Sequence, residues 1–230
     1  MAEGVKVVSE ALDAGVAVES AFVAPGAPDE LVERLLDARA RVHTLEAGVM
    51  ERIADTVTPQ PVAAVVPYVD VSVEAVWEAR LVVVCVDLRD PGNAGTVLRT
   101  AEASGADGVL FCQGSVDVYN PKTVRASAGS LFHVPVVTGS DPADLMDQLG
   151  AWGIRRLGSV AHDGDDYAAI DLRPPVAFVL GNEASGLDDK VLAACDGRVT
   201  IPMHGHSDSL NVGMAAAVLC FEAARQRRAS

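Results

Sequence analysis

From Leu81 onward the chain alternates short, largely apolar runs with longer stretches in which apolar residues recur at helical spacing. The runs at residues 81–86, 108–112, 134–137, 156–161, 176–180 and 199–201 read as strands with both faces buried, the pattern of a parallel sheet covered by helices on each side. Residues 93–104, 121–131, 141–151, 188–195 and 209–226 are predicted to be those helices. The first third of the chain reads differently. A helix is expected over residues 5–14, a short strand over 20–24, a second helix over 28–40 opened by Pro28-Asp29, a strand over 42–45 and a helix over 47–55. Thr58-Pro59-Gln60-Pro61 breaks the pattern before an apolar strand at 62–66, and residues 67–77 read as a linker containing a short amphipathic piece. The pattern therefore divides the chain into a small α/β domain over residues 1–70, a linker over 71–79 and a larger α/β domain over 80–230, with a mostly parallel sheet and helices on both faces.

Composition agrees with this class. Half of the 230 residues are hydrophobic and only 4% are aromatic, so the core must be built from Val, Leu and Ala. Cys85, Cys112, Cys195 and Cys220 lie far apart without a Cys-x-x-Cys pair, which points to core thiols instead of a disulfide framework or a cysteine zinc site. The N-terminus lacks a basic segment followed by an apolar run, and no later stretch has membrane-spanning length, so a cytoplasmic protein with no membrane partner is expected.

Charge complicates any nucleic-acid reading. The net charge is −14; residues 1–76 carry 5 basic and 13 acidic side chains, a net of −8, and the remainder 13 and 19, a net of −6. Phosphate affinity comes from Lys and Arg, so any RNA surface must be local. Candidates are Lys122 with Arg125, Arg155 with Arg156, and Arg225, Arg227 and Arg228 near the C-terminus, each of which also reads as an ordinary solvated face.

In parallel sheets ligands collect at the carboxyl ends of strands, which singles out three loops. The first, Asp87-Leu88-Arg89-Asp90-Pro91-Gly92-Asn93-Ala94-Gly95, opens a helix that carries Arg99. Its glycines would let backbone approach a ligand, or else Asn93 caps the helix and Arg99 pairs with Glu102. The second, Leu180-Gly181-Asn182-Glu183-Ala184-Ser185-Gly186-Leu187, sets a carboxylate between glycines after a strand; Glu183 could accept from Asn or Arg, or cap the next turn. The third runs from Ile201 through Met203, Ser209 and Leu210 to Asn211 and enters an apolar helix; capping would explain one of Asp208 and Ser209, but not Asn211 as well. His204, His206 and Asp208 lack a fourth ligand at metal-site spacing, so no metal is expected. The absence of Gly-x-Gly-x-x-Gly, Gly-x-Ser-x-Gly and Walker motifs argues against a dinucleotide oxidoreductase, a serine hydrolase and an NTPase.

Taken together, Gly92 through Glu102, Leu180-Gly181-Asn182-Glu183, and Ile201-Pro202-Met203 with Ser209-Leu210-Asn211-Val212 resemble the three motifs of the SpoU (TrmH-like) family of the SPOUT superfamily, in order, spacing and strand context. Tyr119-Asn120-Pro121-Lys122 and Arg125-Ala126-Ser127 resemble the same family between motifs, and Glu3-Gly4-Val5-Lys6 with Asp55 through Gln60 resemble its small substrate-recognition domain. The resemblance implies SAM-dependent methylation of a ribose 2′-hydroxyl in RNA, ribosomal 23S-type RNA ahead of tRNA, by a homodimer formed through the C-terminal domain, which ends in a trefoil knot. It implies a cofactor site at Leu180, Gly181, Asn182, Ile201, Met203 and Leu210, a catalytic set of Arg99, Asn93, Glu183, Ser209 and Asn211, and RNA contacts at Lys122 and Arg125. Relatives carry a further segment ahead of Glu3-Gly4, so the first domain is expected to be shortened, without one strand and with a smaller surface for RNA. The rival class is a knotted RNA- or ribosome-binding protein without catalysis, against which Arg99, Glu183 and Asn211 speak.

Overall fold

The computed structural model describes residues 1–53 and 58–228, so the end of the helix expected over 47–55 and the first three residues of the Asp55–Gln60 motif lie outside the described residues. The chain runs β1 (Ala2–Glu3), α1 (Val5–Asp13), β2 (Ser20–Val23), α2 (Asp29–Asp37), β3 (Arg41–Thr44), α3 (Met50–Ile53) and β4 (Val62–Val65). These strands form one sheet in the order β1-β4-β2-β3, with β4 antiparallel to both neighbours and β2 parallel to β3. The amphipathic helices lie on it through Val7, Val8 and Ala11 of α1 and Leu31 and Leu35 of α2. Gly4, at φ +105°, turns the chain from β1 into α1, and Gln60 Oε1 accepts from Val5 N at 2.9 Å. This joins the two stretches of the small domain that carried the resemblance and supplies the helix start with an acceptor.

A single-turn 3₁₀ segment, Val73–Val76, leads into the second sheet. Its elements are β5 (Leu81–Cys85), α4 (Pro91–Ser104), β6 (Gly108–Cys112), α5 (Pro121–Ser127), β7 (Val136–Ser140), α6 (Pro142–Ala151), β8 (Arg155–Ser159), β9 (Asp165–Asp166), β10 (Val176–Leu180), α7 (Asp189–Ala194), β11 (Gly197–Thr200) and α8 (Val212–Arg228). The order is β7-β6-β5-β10-β8-β11-β9, and all pairings are parallel. Side chains alternate strictly on β5. Leu81, Val83 and Cys85 enter a core with α4 and α8, while Val82 and Val84 enter one with α6 and α7. That two-faced burial is why the strands read as unbroken apolar runs. The first of these cores continues into the small sheet, taking in Val7, Val8 and Leu35.

Several boundaries differ from the pattern. The strand expected at 134–137 lies two residues later, and the helix expected over 121–131 stops at Ser127, because Ala128 and Gly129 take positive φ before a 3₁₀ turn at Ser130–Phe132. The helix expected from 209 begins at Val212. The two-residue β1 and β9 were not predicted, since so short a run has no readable period.

Gly95 does not approach a ligand. An ideal Cβ there would lie 2.4 Å from Ala126 Cβ and 2.7 Å from the Ala126 carbonyl carbon, so its missing side chain is what lets α4 and α5 touch. Gly95→Ala is expected to destabilise the fold by about 1–3 kcal/mol through overpacking, lowering the thermal midpoint by roughly 2–4 °C per kcal/mol in a chain of this size. An unchanged melting curve would show that the two helices can separate freely.

Candidate active site

The loops after β5, β10 and β11 meet. In the first, Asp90 Oδ1 accepts from Asn93 N at 2.9 Å and caps α4, with Pro91 at the first helical position. Asp90 thus takes the capping role that one reading gave to Asn93, and the Asn93 side chain is left for another task. Its Nδ2 donates to Glu183 Oε1 at 3.0 Å, and its Oδ1 accepts from Asn211 Nδ2 at 2.8 Å. Asn211 Oδ1 in turn accepts from Gly213 N at 2.9 Å and Met214 N at 3.3 Å, which makes Asn211 the cap of α8 in place of Asp208 or Ser209. One chain of amides therefore ties the starts of two helices to the loop after β10.

Glu183 is the anchor of that chain. Besides Asn93, it accepts from Asp90 N at 2.9 Å and Arg89 N at 3.2 Å. Burial pushes its carboxyl up, but the donors from Asn93, Asp90, its own backbone and Arg89 outweigh burial and hold it below the usual glutamate range, so it is ionised at neutral pH. The loop around it is shaped by Asn182, whose Oδ1 accepts from Ala184 N at 2.9 Å and Ser185 N at 3.2 Å, while its Nδ2 donates to the Asp87 carbonyl at 3.0 Å. Gly181 presses against the far side of the same loop. An ideal Cβ on it would fall 2.3 Å from the Gly186 carbonyl carbon and 2.5 Å from Leu187 N.

A cavity of about 570 Å³ opens where these loops converge, lined by Asn93, Leu180, Gly181, Asn182, Glu183, Ile201, Met203, Ser209, Leu210 and Asn211. All six residues expected to hold the cofactor, and four of the five expected to be catalytic, thus face one space whose volume falls in the range of small-molecule sites. Ser159, Val160 and Ala161, at the end of β8, also line it. Sequence reasoning misses them, because only the strand order places the end of β8 beside that of β10.

Arg99 is not in this cavity. It is exposed on α4 and lines a second groove of about 380 Å³ with Lys6, Glu10, Thr96, His133 and Phe221. The pairing with Glu102 is not formed. Glu102 Oε2 accepts from Ser130 Oγ at 3.3 Å, and Arg99 makes no hydrogen bond or ion pair among the described residues. The expected RNA contacts are engaged elsewhere: Lys122 lies 3.9 Å from Asp90, and Arg125 pairs at 3.4 Å with Glu3, which is only 6% exposed. Arg156 is fixed by Asp196 at 2.6 Å and donates to the Met146 carbonyl at 2.8 Å. His204, His206 and Asp208 are exposed, and among the described residues no group of three His, Cys, Asp or Glu side chains is placed to hold a metal ion.

Comparison with known proteins places this geometry in a family. Residues 80–221 match the model of the SpoU rRNA Methylase family, and residues 1–64 match that of the MRM3-like substrate binding domain. The 23S rRNA (guanosine(2553)-2′-O)-methyltransferase RlmP of Bacillus subtilis is 34% identical over 211 residues, covering 89% of this chain and 84% of that protein. The 23S rRNA (uridine(2479)-2′-O)-methyltransferase of Streptomyces viridochromogenes is 39% identical over 142 residues, or 60% of this chain and 50% of that one. The crystal structure of the SpoU methyltransferase AviRb from the same organism superimposes with a TM-score of 0.87 at 32% identity, covering 99% of this chain and 89% of that chain. Its complex with the cofactor AdoMet gives 0.86 at 31% identity, covering 100% and 90%. With a family model matching most of its length and relatives alike in sequence and structure, this chain belongs to the SpoU rRNA methylase family.

Proposed function

We propose that this protein methylates a ribose 2′-hydroxyl of 23S-type ribosomal RNA, using S-adenosyl-L-methionine (SAM). The observation that carries the reading is the convergence of Gly181, from the loop after β10, with Ile201 and Leu210, from the loop after β11, on one cavity beside the Glu183–Asn93–Asn211 chain. The residues fit the donor: Gly181, packed against the 182–187 turn, forms part of the cavity wall, and Ile201, Met203 and Leu210 offer apolar walls near the polar groups of Asn182 and Ser209. SAM supplies a sulfonium methyl group to an attacking oxygen.

The chain's task is alignment and charge control. A ribose hydroxyl is a weak nucleophile near neutral pH, so holding it in line and accommodating the charge it develops contribute most. The amide chain fixes Asn93 and Asn211 at the cavity rim, where with Ser209 they orient the ribose. Arg99 acts through the charge of its guanidinium, on the hydroxyl oxygen or its neighbouring phosphate, not as a literal base. The small domain over residues 1–70, joined by the linker at 71–79 to the domain over 80–230, contributes to RNA recognition. Two further features belong to this reading. Met214 and Phe221, 57% and 45% exposed and two turns apart on α8, support a homodimer through the C-terminal domain. The placement of β10 between the earlier β5 and β8 supports a trefoil knot formed by the C-terminal segment. Action on ribosomal RNA places the protein, in this reading, in the cytoplasm; no helix among the described residues is long and apolar enough to cross a membrane.

Calorimetry with SAM should show one saturable site per chain, and incubation with unmodified 23S rRNA should place a methyl group on a ribose that then resists alkaline cleavage. An absence of heat up to about 1 mM SAM, a bound of about −4 kcal/mol on the affinity, would end the enzymatic reading.

A further inference from the structure

A surface with a net charge of −14 repels a polyanion over most of its area, so RNA must approach where cations remain free. Among the described residues, seven Lys or Arg side chains are paired with carboxylates. Lys6 and Arg99 have no such partner and no hydrogen bond, and both line the groove of about 380 Å³ between α1 and α4. The carboxylates of this groove are already engaged, Glu10 with His133 Nε2 at 2.9 Å and Glu102 with Ser130 Oγ at 3.3 Å.

The groove is built, not left over between two domains. Gly129 sits so close to α1 that an ideal Cβ would meet Glu10 Cβ at 2.4 Å, the Glu10–His133 pair joins α1 to the end of the 3₁₀ turn, and the Glu3–Arg125 pair joins β1 to α5. Lys6 on α1 of the small domain and Arg99 on α4 of the large one thereby line the same groove. The same helix borders both spaces: Asn93 lines the cavity, and Thr96 and Arg99, three and six residues further along α4, line the groove. Six residues of helix span about 9 Å.

We propose that this groove is an RNA-backbone site in which Lys6 and Arg99 bind phosphates flanking the reacting ribose. The proposal rests on the reading of the chain as an RNA methyltransferase. The test is fluorescence anisotropy of the full chain with a labelled Bacillus subtilis 23S rRNA transcript across a salt series. Lys6→Gln should reduce the slope of log affinity against log salt by about 0.7–0.9, one phosphate contact, and raise the KM for RNA while SAM affinity stays at the wild-type value. Lys190→Gln, the same charge change on exposed α7 at the other face of the sheet, should leave the slope unaltered. A wild-type slope for Lys6→Gln, an equal fall for Lys190→Gln, or no RNA binding by the wild type would each overturn the site. The enzymatic reading fails separately, if the wild type binds RNA in this salt-dependent way yet transfers no methyl group.

Discussion

Arg99→Ala is expected to slow methyl transfer to RNA by about 10²- to 10³-fold, the usual cost of removing one charge-stabilising donor from a reaction centre, while SAM affinity and thermal stability stay at wild-type values. Two observations separate these effects. Arg99 lines the α1–α4 groove and not the cavity, so its loss leaves the proposed cofactor walls in place. It also has no hydrogen bond or ion pair among the described residues, so its loss breaks nothing that holds the fold. An unpaired guanidinium on the exposed face of a well-capped helix contributes little to stability and much to the electrostatics of whatever approaches it. Arg99→Lys should recover only part of the rate, since an ammonium keeps the charge and loses the planar fork. Steady-state kinetics with 23S rRNA alongside SAM calorimetry decide the matter. An Arg99→Ala enzyme of undiminished rate would remove the residue from the catalytic set.

Gly181→Ala should act on the opposite partner, weakening SAM binding by roughly tenfold to a hundredfold, equivalent to about 1–3 kcal/mol of overpacking. The added methyl would meet only backbone, the Gly186 carbonyl and Leu187 N, so relief requires the whole 182–187 turn to move. That turn carries Glu183, and through it the bonds to Asn93, Asp90 and Arg89. Gly186→Ala is the informative comparison. It has open space around the missing Cβ but a φ of +71°, so it costs only the left-handed backbone penalty of about 1–2 kcal/mol. The two variants should differ in cofactor affinity measured by calorimetry. Equal and small effects would mean that the turn is plastic and that Gly181 is not a fixed wall of the site.

The division of labour between sequence and structure can be followed through particular residues. Val82, Val83 and Val84 announce a strand buried on both faces, and Glu183 between two glycines after such a strand announces a ligand loop, because each signal is local and set by the immediate neighbours. The assignment of caps was not legible in the same way. Asp90 and Asn93 are both good capping residues at the same helix start, as are Asp208, Ser209 and Asn211 at another; three-dimensional contacts with Glu183 selected Asp90 for the first and left Asn93 to bridge to Asn211. Gly95 looked like a ligand-facing glycine and is instead a packing glycine, since the sequence does not say that α5 crosses at that point.

By itself the sequence determined the parallel α/β class, the three loops and the residue types that make the proposed chemistry conceivable, since hydrophobic period and turn chemistry depend on spacing along the chain. Only the tertiary structure decided which of those residues share a space. Strand order brings the end of β8 against the cavity, and the exposed side of α4 sends Arg99 into a different groove from Asn93. The physical reason is that proximity between distant segments is set by how whole faces pack, and no single stretch of residues carries that information.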